Sequence, residues 1–160
     1  MKRPSILITV GFLAALSLSL TACASTASEA EPVPGIWVDA QVDGDSVTVP
    51  LALIEEHSNL HFEVEQDGRS LAFMAYVLDG EIQVRANACP PCGSRGFTLD
   101  GHVLDCDACH TLFDARDGSG IEGACVDYPK AAVPYDTDDG SIVMSVTSMV
   151  NAYDDTLVAG

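Results

Sequence analysis

Short stretches in which apolar and polar residues alternate recur along the chain from about residue 45 onward. In the first stretch Val47, Val49 and Leu51 fall on one side of an extended backbone, and in the second Phe62 and Val64 do so. A period of two places one face of a strand in a core and leaves the other face to solvent. The pattern therefore predicts strands over residues 46–51, 61–65, 82–86 and 142–146.

One segment breaks this alternation. Residues 71–78 are almost entirely apolar, which is typical of a central strand that is buried on both faces. Asp-Gly pairs separate the segments, and such a pair between strands favours a tight hairpin because both residues tolerate positive φ. These pairs begin at positions 43, 67, 79, 100, 117 and 139.

Helix is scarce in this pattern. Residues 50–59 have room for one or two helical turns, and residues 149–155 form too short a stretch to assign. The predicted fold class is therefore mostly β, a small antiparallel β-sandwich or barrel-like domain.

The N-terminal residues have the pattern of an export signal. Lys2 and Arg3 precede an apolar run over residues 6–20, which is short for a membrane span and typical of a signal-peptide core. Residues 20–23, Leu-Thr-Ala-Cys, resemble the bacterial lipobox, so we expect cleavage before Cys23 and a lipid on its sulfur. An ordinary secretory signal and an uncleaved anchor are the alternatives.

The chain accordingly divides into four parts. We predict a lipoprotein signal peptide over residues 1–22, a flexible tether rich in Ala, Ser, Glu and Pro over 23–34, a β-rich domain over 35–150 and a tail over 151–160. The lipid would hold the domain on the extracytoplasmic face of the cell membrane.

The charge of the chain excludes one class of partner. There are 24 acidic and 7 basic residues, and two of the basic ones lie in the predicted signal peptide. Such an acidic surface repels nucleic acid and anionic lipid headgroups. The chain also lacks a Ser-His-Asp signature and a phosphate-binding glycine loop. We therefore expect an electron-transfer or metal-binding protein rather than a catalyst.

Two cysteine pairs carry the strongest chemical signal. Cys89 and Cys92 form one Cys-x2-Cys pair, and Cys106 and Cys109 form a second after thirteen intervening residues. Each pair directs two sulfurs toward one point, and four thiolates suit tetrahedral zinc, a single iron or an iron–sulfur cluster. A hairpin at Asp100-Gly101 would bring the second pair back to face the first.

Two further residues keep the ligand set open. Cys125 is a fifth sulfur that could be an alternative ligand, a free thiol or a small buried apolar residue. His110 directly follows the second pair and is the best histidine candidate for a substitute ligand. His102 could hydrogen-bond a sulfur, whereas we expect His57 and His61 at the surface.

Three other interpretations use the same cysteines. In an exported chain the pairs could form disulfides. The first pair could be a thioredoxin-like redox motif, although no helical pattern follows it. Residues 106–110 also match the Cys-x-x-Cys-His pattern of covalent c-type haem attachment, which leaves the first pair unexplained.

Most of the domain, roughly residues 45–146, resembles the FtrD-like family of membrane iron–sulfur proteins. That family has Cys-x-x-Cys-Gly, Gly-Tyr, a second Cys-x-x-Cys and Gly-Gly-Cys-Asn-Pro. The matching segments are Cys89-Pro90-Pro91-Cys92-Gly93, Gly96-Phe97, Cys106-Asp107-Ala108-Cys109 and Gly120 to Cys125, with Pro129 after them. The resemblance implies iron–sulfur binding by the four paired cysteines, with some members associated with iron uptake and electron transfer.

The chain departs from that pattern at two places. Val126-Asp127-Tyr128 separates Cys125 from Pro129, and His110 stands where the family usually has Gly. Residues 99–114 also resemble the second ligand loop of Rieske domains, which place two histidines on one iron. This likeness implies two metal loops at one end of a small β-sandwich, with a zinc-ribbon-like arrangement as the alternative. Cysteine in place of histidine would lower the reduction potential.

The sequence thus predicts a membrane-anchored, extracytoplasmic protein that binds an iron–sulfur cluster and transfers electrons in iron handling. Zinc, mononuclear iron and haem c are the alternative cofactors, and a zinc- or disulfide-stapled binding module is the alternative function. The expected partners are the membrane, through the lipid, and redox or iron-transport membrane proteins.

Overall fold

The computed structural model describes residues 31–160, so the predicted signal peptide, Cys23 and most of the predicted tether lie outside the described residues. In chain order the elements are β1 (Ile36–Trp37), β2 (Gln41–Asp43), β3 (Ser46–Pro50), α1 (Leu51–His57), β4 (Asn59–Gln66), β5 (Arg69–Leu78), β6 (Glu81–Ala86), β7 (Phe97–Asp100), β8 (Val103–Cys106), β9 (Leu112–Asp114), β10 (Gly120–Glu122), β11 (Asp136–Asp138), β12 (Ser141–Ser145) and α2 (Val146–Thr156).

The strands form three four-stranded sheets. Their orders are β1-β4-β5-β6, β2-β3-β12-β11 and β7-β8-β9-β10, and the last of these is called the cysteine sheet below. Neighbouring strands are antiparallel except for β1 and β4, which pair in parallel. The predicted mostly β, antiparallel fold class is confirmed.

All six Asp-Gly pairs lie where one strand turns into its antiparallel neighbour. In the pairs that begin at Asp67, Asp79 and Asp139 both residues have positive φ, as a type I′ turn requires. In the other three pairs only the glycine does. The turn chemistry therefore specifies these six hairpin pairings locally.

Strand β5 lies at the centre of the molecule, as its apolar run predicted. Leu71 and Phe73 belong to a core that β5 shares with α1, α2 and the strands β3, β4, β6 and β12. Met74 and Tyr76 belong to a second core, which β5 shares with the cysteine sheet. Burial of both faces explains why this strand has no polar side.

Helix α2 is longer than the sequence pattern suggested. Its buried residues are spaced by three and four positions: Val146, Met149, Ala152, Tyr153 and Thr156. Ser145 caps the helix by accepting a hydrogen bond from the backbone N–H of Ser148. The helix continues through position 150, the predicted end of the domain. No described helix has the length and apolar character needed to cross a membrane.

Candidate metal centre

The first cysteine pair lies in a tight turn after β6. The backbone N–H of Cys89 donates to the carbonyl of Ser94 at 2.9 Å, and the N–H of Gly93 donates to the carbonyl of Cys89 at 2.8 Å. Gly93 has φ of 73°. This turn, called the first knuckle, places Cys89 in the core and Cys92 at the surface.

The second pair has the same backbone arrangement at the end of β8. Cys106 N–H donates to the carbonyl of Thr111 at 3.1 Å, and His110 N–H donates to the carbonyl of Cys106 at 2.9 Å. His110 takes the positive φ, 53°, that Gly93 takes in the first knuckle. The two pairs are therefore copies of one turn, and the second is called the second knuckle.

The four paired sulfurs converge. The Sγ atoms of Cys89, Cys92, Cys106 and Cys109 all lie within 4.8 Å of one another. Those of Cys92 and Cys106, which come from different knuckles, are 3.7 Å apart. The hairpin between β7 and β8 reverses the chain between the knuckles, as the Asp100-Gly101 pair predicted.

This arrangement fits a metal centre with four thiolates. Metal–sulfur bonds of about 2.3 Å in a tetrahedron put neighbouring sulfurs roughly 3.8 Å apart, close to the observed separation of Cys92 and Cys106. Four soft thiolates suit zinc or iron–sulfur centres rather than magnesium or calcium. The donor set alone therefore admits both a single metal ion and an iron–sulfur cluster.

The thiols of the metal-free protein differ in pKa because their surroundings differ. Burial raises the pKa of Cys89 and of Cys106. Burial also opposes ionisation of Cys109, but hydrogen bonds from Thr111 and from the neighbouring thiols outweigh it and lower its pKa to about 6. A bound metal would displace the remaining thiol protons.

Cys125 lies beside this group. It is buried, and its Sγ is 3.8 Å from that of Cys109. Thr111 joins the two residues, because its hydroxyl oxygen lies 3.3 Å from the Cys109 sulfur and accepts the Cys125 backbone N–H at 3.2 Å. Nothing in the sequence pointed to Thr111 beyond its position after the second knuckle.

The histidines do not approach the sulfurs as ligands in this arrangement. The ring of His110 is 77% exposed and lies 3.3 Å from an oxygen of Asp105. His102 contacts Asp79 at 2.9 Å, so the hydrogen bond to a sulfur that its position allowed is not present in the structure. The metal group found among residues 31–160 contains cysteines alone.

The expectation that His61 lies at the surface is wrong. Its side chain is 1% exposed, and neither ring nitrogen has a hydrogen-bond partner among the described residues. The ring packs against Gly35, where a Cβ atom would lie 2.0 Å from it, and against the edge of Trp37. Burial lowers the pKa of His61 to about 4.

Sequence reasoning missed two buried cations, Lys130 and Arg85. Lys130 has no exposed surface, and burial lowers its pKa while attraction to the thiolates, above all that of Cys89, opposes this. Arg85 is 3% exposed and donates to the hydroxyl of Tyr76 and to backbone carbonyls, including that of Lys130 at 2.9 Å. Neither residue belongs to a motif that would have revealed its burial.

The geometry disfavours the other interpretations of the cysteines. All five described cysteines are free thiols. The chain after Cys92 enters a turn and then β7, whereas a thioredoxin-like pair would open a helix. Cys106 is fully buried beside Cys92 and His110 faces solvent, which does not suit covalent haem attachment at residues 106–110.

Comparisons with known proteins also indicate a metal centre. A family model described as "Membrane iron-sulfur containing protein FtrD-like" matches residues 53–154, which include both knuckles and Cys125. A comparison with curated proteins finds no match.

Two solved structures are similar to this chain. One is a chain of the "Complex of reduced oxygenase and oxidized ferredoxin in carbazole 1,9a-dioxygenase", with a TM-score of 0.52, 15% identity, and coverage of 64% of this chain and 94% of that chain. The other is Sphingomonas yanoikuyae B1 ferredoxin, with a TM-score of 0.44, 25% identity, and coverage of 52% and 81%. The first supports the fold class predicted for the domain.

Proposed function

Since this chain belongs to the FtrD-like family of membrane iron–sulfur containing proteins, we propose that Cys89, Cys92, Cys106 and Cys109 hold its iron–sulfur cluster and that the protein passes single electrons at a membrane. The family match confirms the cofactor predicted from the sequence. The ligand set and the extracytoplasmic, lipid-anchored location are what the proposal adds.

The observation that carries the proposal is the pairing of two identical knuckles. Each knuckle closes with a hydrogen bond from the fourth residue after its first cysteine, Gly93 or His110, back to the carbonyl of that cysteine. The hairpin between β7 and β8 turns one knuckle toward the other, and four sulfurs gather within 4.8 Å. A chance grouping of thiols would not need the same backbone turn twice.

When bound, the cluster supplies reversible one-electron transfer. The chain's own residues determine access to it. Cys89 and Cys106 are buried, whereas Cys92 and its neighbours Pro91 and Gly93 are exposed. A redox partner can therefore approach the rim of the first knuckle, while the core shields the other side from water.

We place Cys125 outside the ligand set. Its sulfur approaches that of Cys109, and the group within 4.8 Å consists of the two knuckle pairs without it. In this position the thiol can donate a hydrogen bond to the Cys109 sulfur. Such outer contacts tune a metal centre without binding it.

The decisive experiment is a chemical analysis of the full chain purified without oxygen. Iron and acid-labile sulfide together with a broad visible charge-transfer absorption support the proposal. Stoichiometric zinc in a colourless protein, or a Soret band that survives denaturation, overturns it. The zinc outcome would agree with the sulfur spacing, which suits a single tetrahedral ion as well.

Serine variants then test the ligands one at a time. Cys106→Ser should lose most iron and sulfide, since it removes a buried thiolate of the proposed ligand set. Cys125→Ser is the matched control, because its thiol is also buried but lies outside the proposed set. Equal loss in both variants would mean that Cys125 is a ligand.

The location is proposed from residues 20–23 and the basic and apolar residues before them. Mass spectrometry of the N-terminal peptide should find acyl groups on Cys23, and Cys23→Ser should release the protein from membranes. The link to iron handling rests on the sequence resemblance. Growth under iron limitation should suffer equally from loss of the chain and from Cys106→Ser.

A further inference from the structure

Lys130 holds a positive charge inside the protein. Its side chain has no exposed surface. The ammonium donates hydrogen bonds to the carbonyls of Ala88 and Tyr128, both at 2.7 Å. Carbonyls satisfy its donors but do not neutralise it, and a buried charge is costly unless an opposite charge compensates it.

Within residues 31–160 no carboxylate forms an ion pair with Lys130. The ion pairs of residues 31–160 involve other cations, and each lies at the surface or near it. The other neighbours of the ammonium are aromatic rings, with Nζ 4.2 Å from the centroid of Phe113 and 5.4 Å from that of Phe97. A cation over two rings gains some attraction. The rings carry no net charge, so the charge of Lys130 still needs a partner.

The contacts of Lys130 place its ammonium beside the cysteine site. Ala88, whose carbonyl binds the ammonium, directly precedes Cys89. Phe97 lies opposite Cys106 in the β7–β8 pairing. The ammonium therefore lies between the base of the first knuckle and the strands that lead into the second. Four thiolates carry more negative charge than a divalent ion, or an iron–sulfur core counted with its sulfides, carries positive charge, so the loaded site is negative.

We propose that Lys130 is the internal counter-charge of this site, and that it strengthens metal binding and raises the reduction potential of the cluster. The second effect rests on the proposed function, whereas the first holds for any metal bound by the four thiolates. On reduction one electron enters from the redox partner, no bond forms or breaks, and the site becomes more negative by one charge. A fixed ammonium nearby stabilises that extra charge.

Lys130→Met and Lys130→Gln remove the charge, and the glutamine keeps an amide donor for the carbonyls of Ala88 and Tyr128. Lys130→Arg keeps the charge and is the conservative control. Arg69→Gln removes a cation that pairs with Asp154 at the surface and is the matched distant control. All are made in the full chain.

The first readout is binding of Co²⁺, whose thiolate complexes absorb visible light, to the metal-free protein. Both neutral variants should bind Co²⁺ at least about tenfold more weakly than wild type, the usual cost of losing an outer-shell partner. Lys130→Arg should regain most of the affinity, and Arg69→Gln should not differ from wild type. Unchanged Co²⁺ affinity in both neutral variants would overturn the proposal.

The second readout is the midpoint potential of the iron-loaded protein, measured with a dithionite-class reductant and mediators. The neutral variants should have a lower midpoint than wild type, and Lys130→Arg a midpoint near it. A midpoint unchanged in variants with full iron and sulfide would overturn the redox part. Absence of iron and sulfide from wild type would refute the proposed function instead, and the Co²⁺ titration would still decide the role of Lys130.

A purely structural role is distinguished by urea unfolding of the metal-free protein. There the ammonium has no fully charged site to balance, and glutamine keeps a donor for the carbonyls of Ala88 and Tyr128, so Lys130→Gln should leave stability unchanged or increase it. Lys130→Met leaves both buried carbonyls without a donor and should lower stability for that reason alone. If metal-free Lys130→Gln loses as much stability as Lys130→Met, Lys130 is a structural anchor of the first knuckle and the proposal fails.

Discussion

Gly93 and His110 occupy equivalent positions in the two knuckles. Each donates its backbone N–H to the carbonyl of the first cysteine of its pair, at 2.8 and 2.9 Å, and each has positive φ, 73° and 53°. His110 stands where the Cys-x-x-Cys-Gly pattern has glycine, and its backbone makes the hydrogen bond that the glycine makes in the first knuckle. The ring of His110 is exposed beside Asp105 and takes no part in this hydrogen bond.

Replacement of His110 by glycine should therefore stabilise the fold. A side chain in the left-handed region costs about 1 kcal/mol relative to glycine, so His110→Gly should raise the free energy of unfolding by roughly that amount. His110→Val should lower it by more than about 1 kcal/mol, since β-branched residues fit this region worst.

Urea unfolding of the metal-free protein measures both effects. His102→Gly in the exposed turn between β7 and β8 is the control, because His102 has no positive φ and should lose stability with glycine. Loss of bound metal in His110→Gly with an unchanged fold would instead make the imidazole a ligand.

The buried ring of His61 should make stability depend on pH. Its pKa is about 4 in the folded protein and about 6.5 when unfolded. The folded state therefore resists protonation, and the contribution of His61 is complete above pH 6.5 and declines as the pH falls toward 4. The total is about 3 kcal/mol.

The dependence can be isolated with His61→Leu, which cannot titrate. As the pH falls from 6.5 to 4, the unfolding free energy of wild type should decrease relative to that of His61→Leu. His57→Gln at the end of α1 is the control and should follow wild type. A constant difference across this range would contradict the burial of a neutral His61.

Tyr76 should be needed for the second core. Its hydroxyl donates to the carbonyl of Ala115 and accepts from the guanidinium of Arg85 at 2.9 Å, and burial raises its pKa to about 12. Tyr76→Phe leaves both buried partners unsatisfied, so the free energy of unfolding should fall by about 1–3 kcal/mol.

The comparison for this prediction is Tyr135→Phe. Tyr135 donates to the carbonyl of Ile82 at 2.9 Å from a half-buried position, where water can replace it. Loss of the Tyr135 hydroxyl should lower the free energy of unfolding by clearly less than loss of the Tyr76 hydroxyl. Equal losses in the two variants would show that the Tyr76 hydroxyl does not hold the loop after β9.

The position of Thr111 beside the second knuckle should respond to the size of the residue at Gly123. Gly123 has φ of 120°, and a Cβ atom there would lie 2.6 Å from the Thr111 hydroxyl. Gly123→Ala should therefore displace Thr111 or the Cys125 segment and weaken Co²⁺ binding. Gly44→Ala, with positive φ but open space around it, is the control and should affect stability alone.

Local signals in the sequence were enough for much of the fold. Asp-Gly pairs specify hairpins because the two residues that the turn needs are adjacent, and all six pairs predicted a connection that is present. The apolar run of β5 predicted a strand buried on both faces, since burial acts on each residue of a strand directly. The spacing of the four paired cysteines predicted one site, because two cysteines three positions apart in a tight turn direct both sulfurs toward one point.

Short strands and mixed patterns were harder. Strands β1, β2, β9, β10 and β11 have two or three residues each, too few to show a period. In α2 the polar residues Thr147, Ser148, Asn151, Asp154 and Asp155 dilute the apolar stripe. Its cap at Ser145 and its contacts with β5, β6 and β12 determine its length.

The sequence by itself determined which residues turn, which strand is central and which four thiols belong together, because neighbours along the chain supply those interactions. Tertiary structure alone decided that His61 is buried, that Cys125 lies beside Cys109 and that Lys130 faces the site. The contact of Lys130 with Ala88 joins residues 42 positions apart. Such a contact depends on the packing of whole sheets, and no local pattern records it.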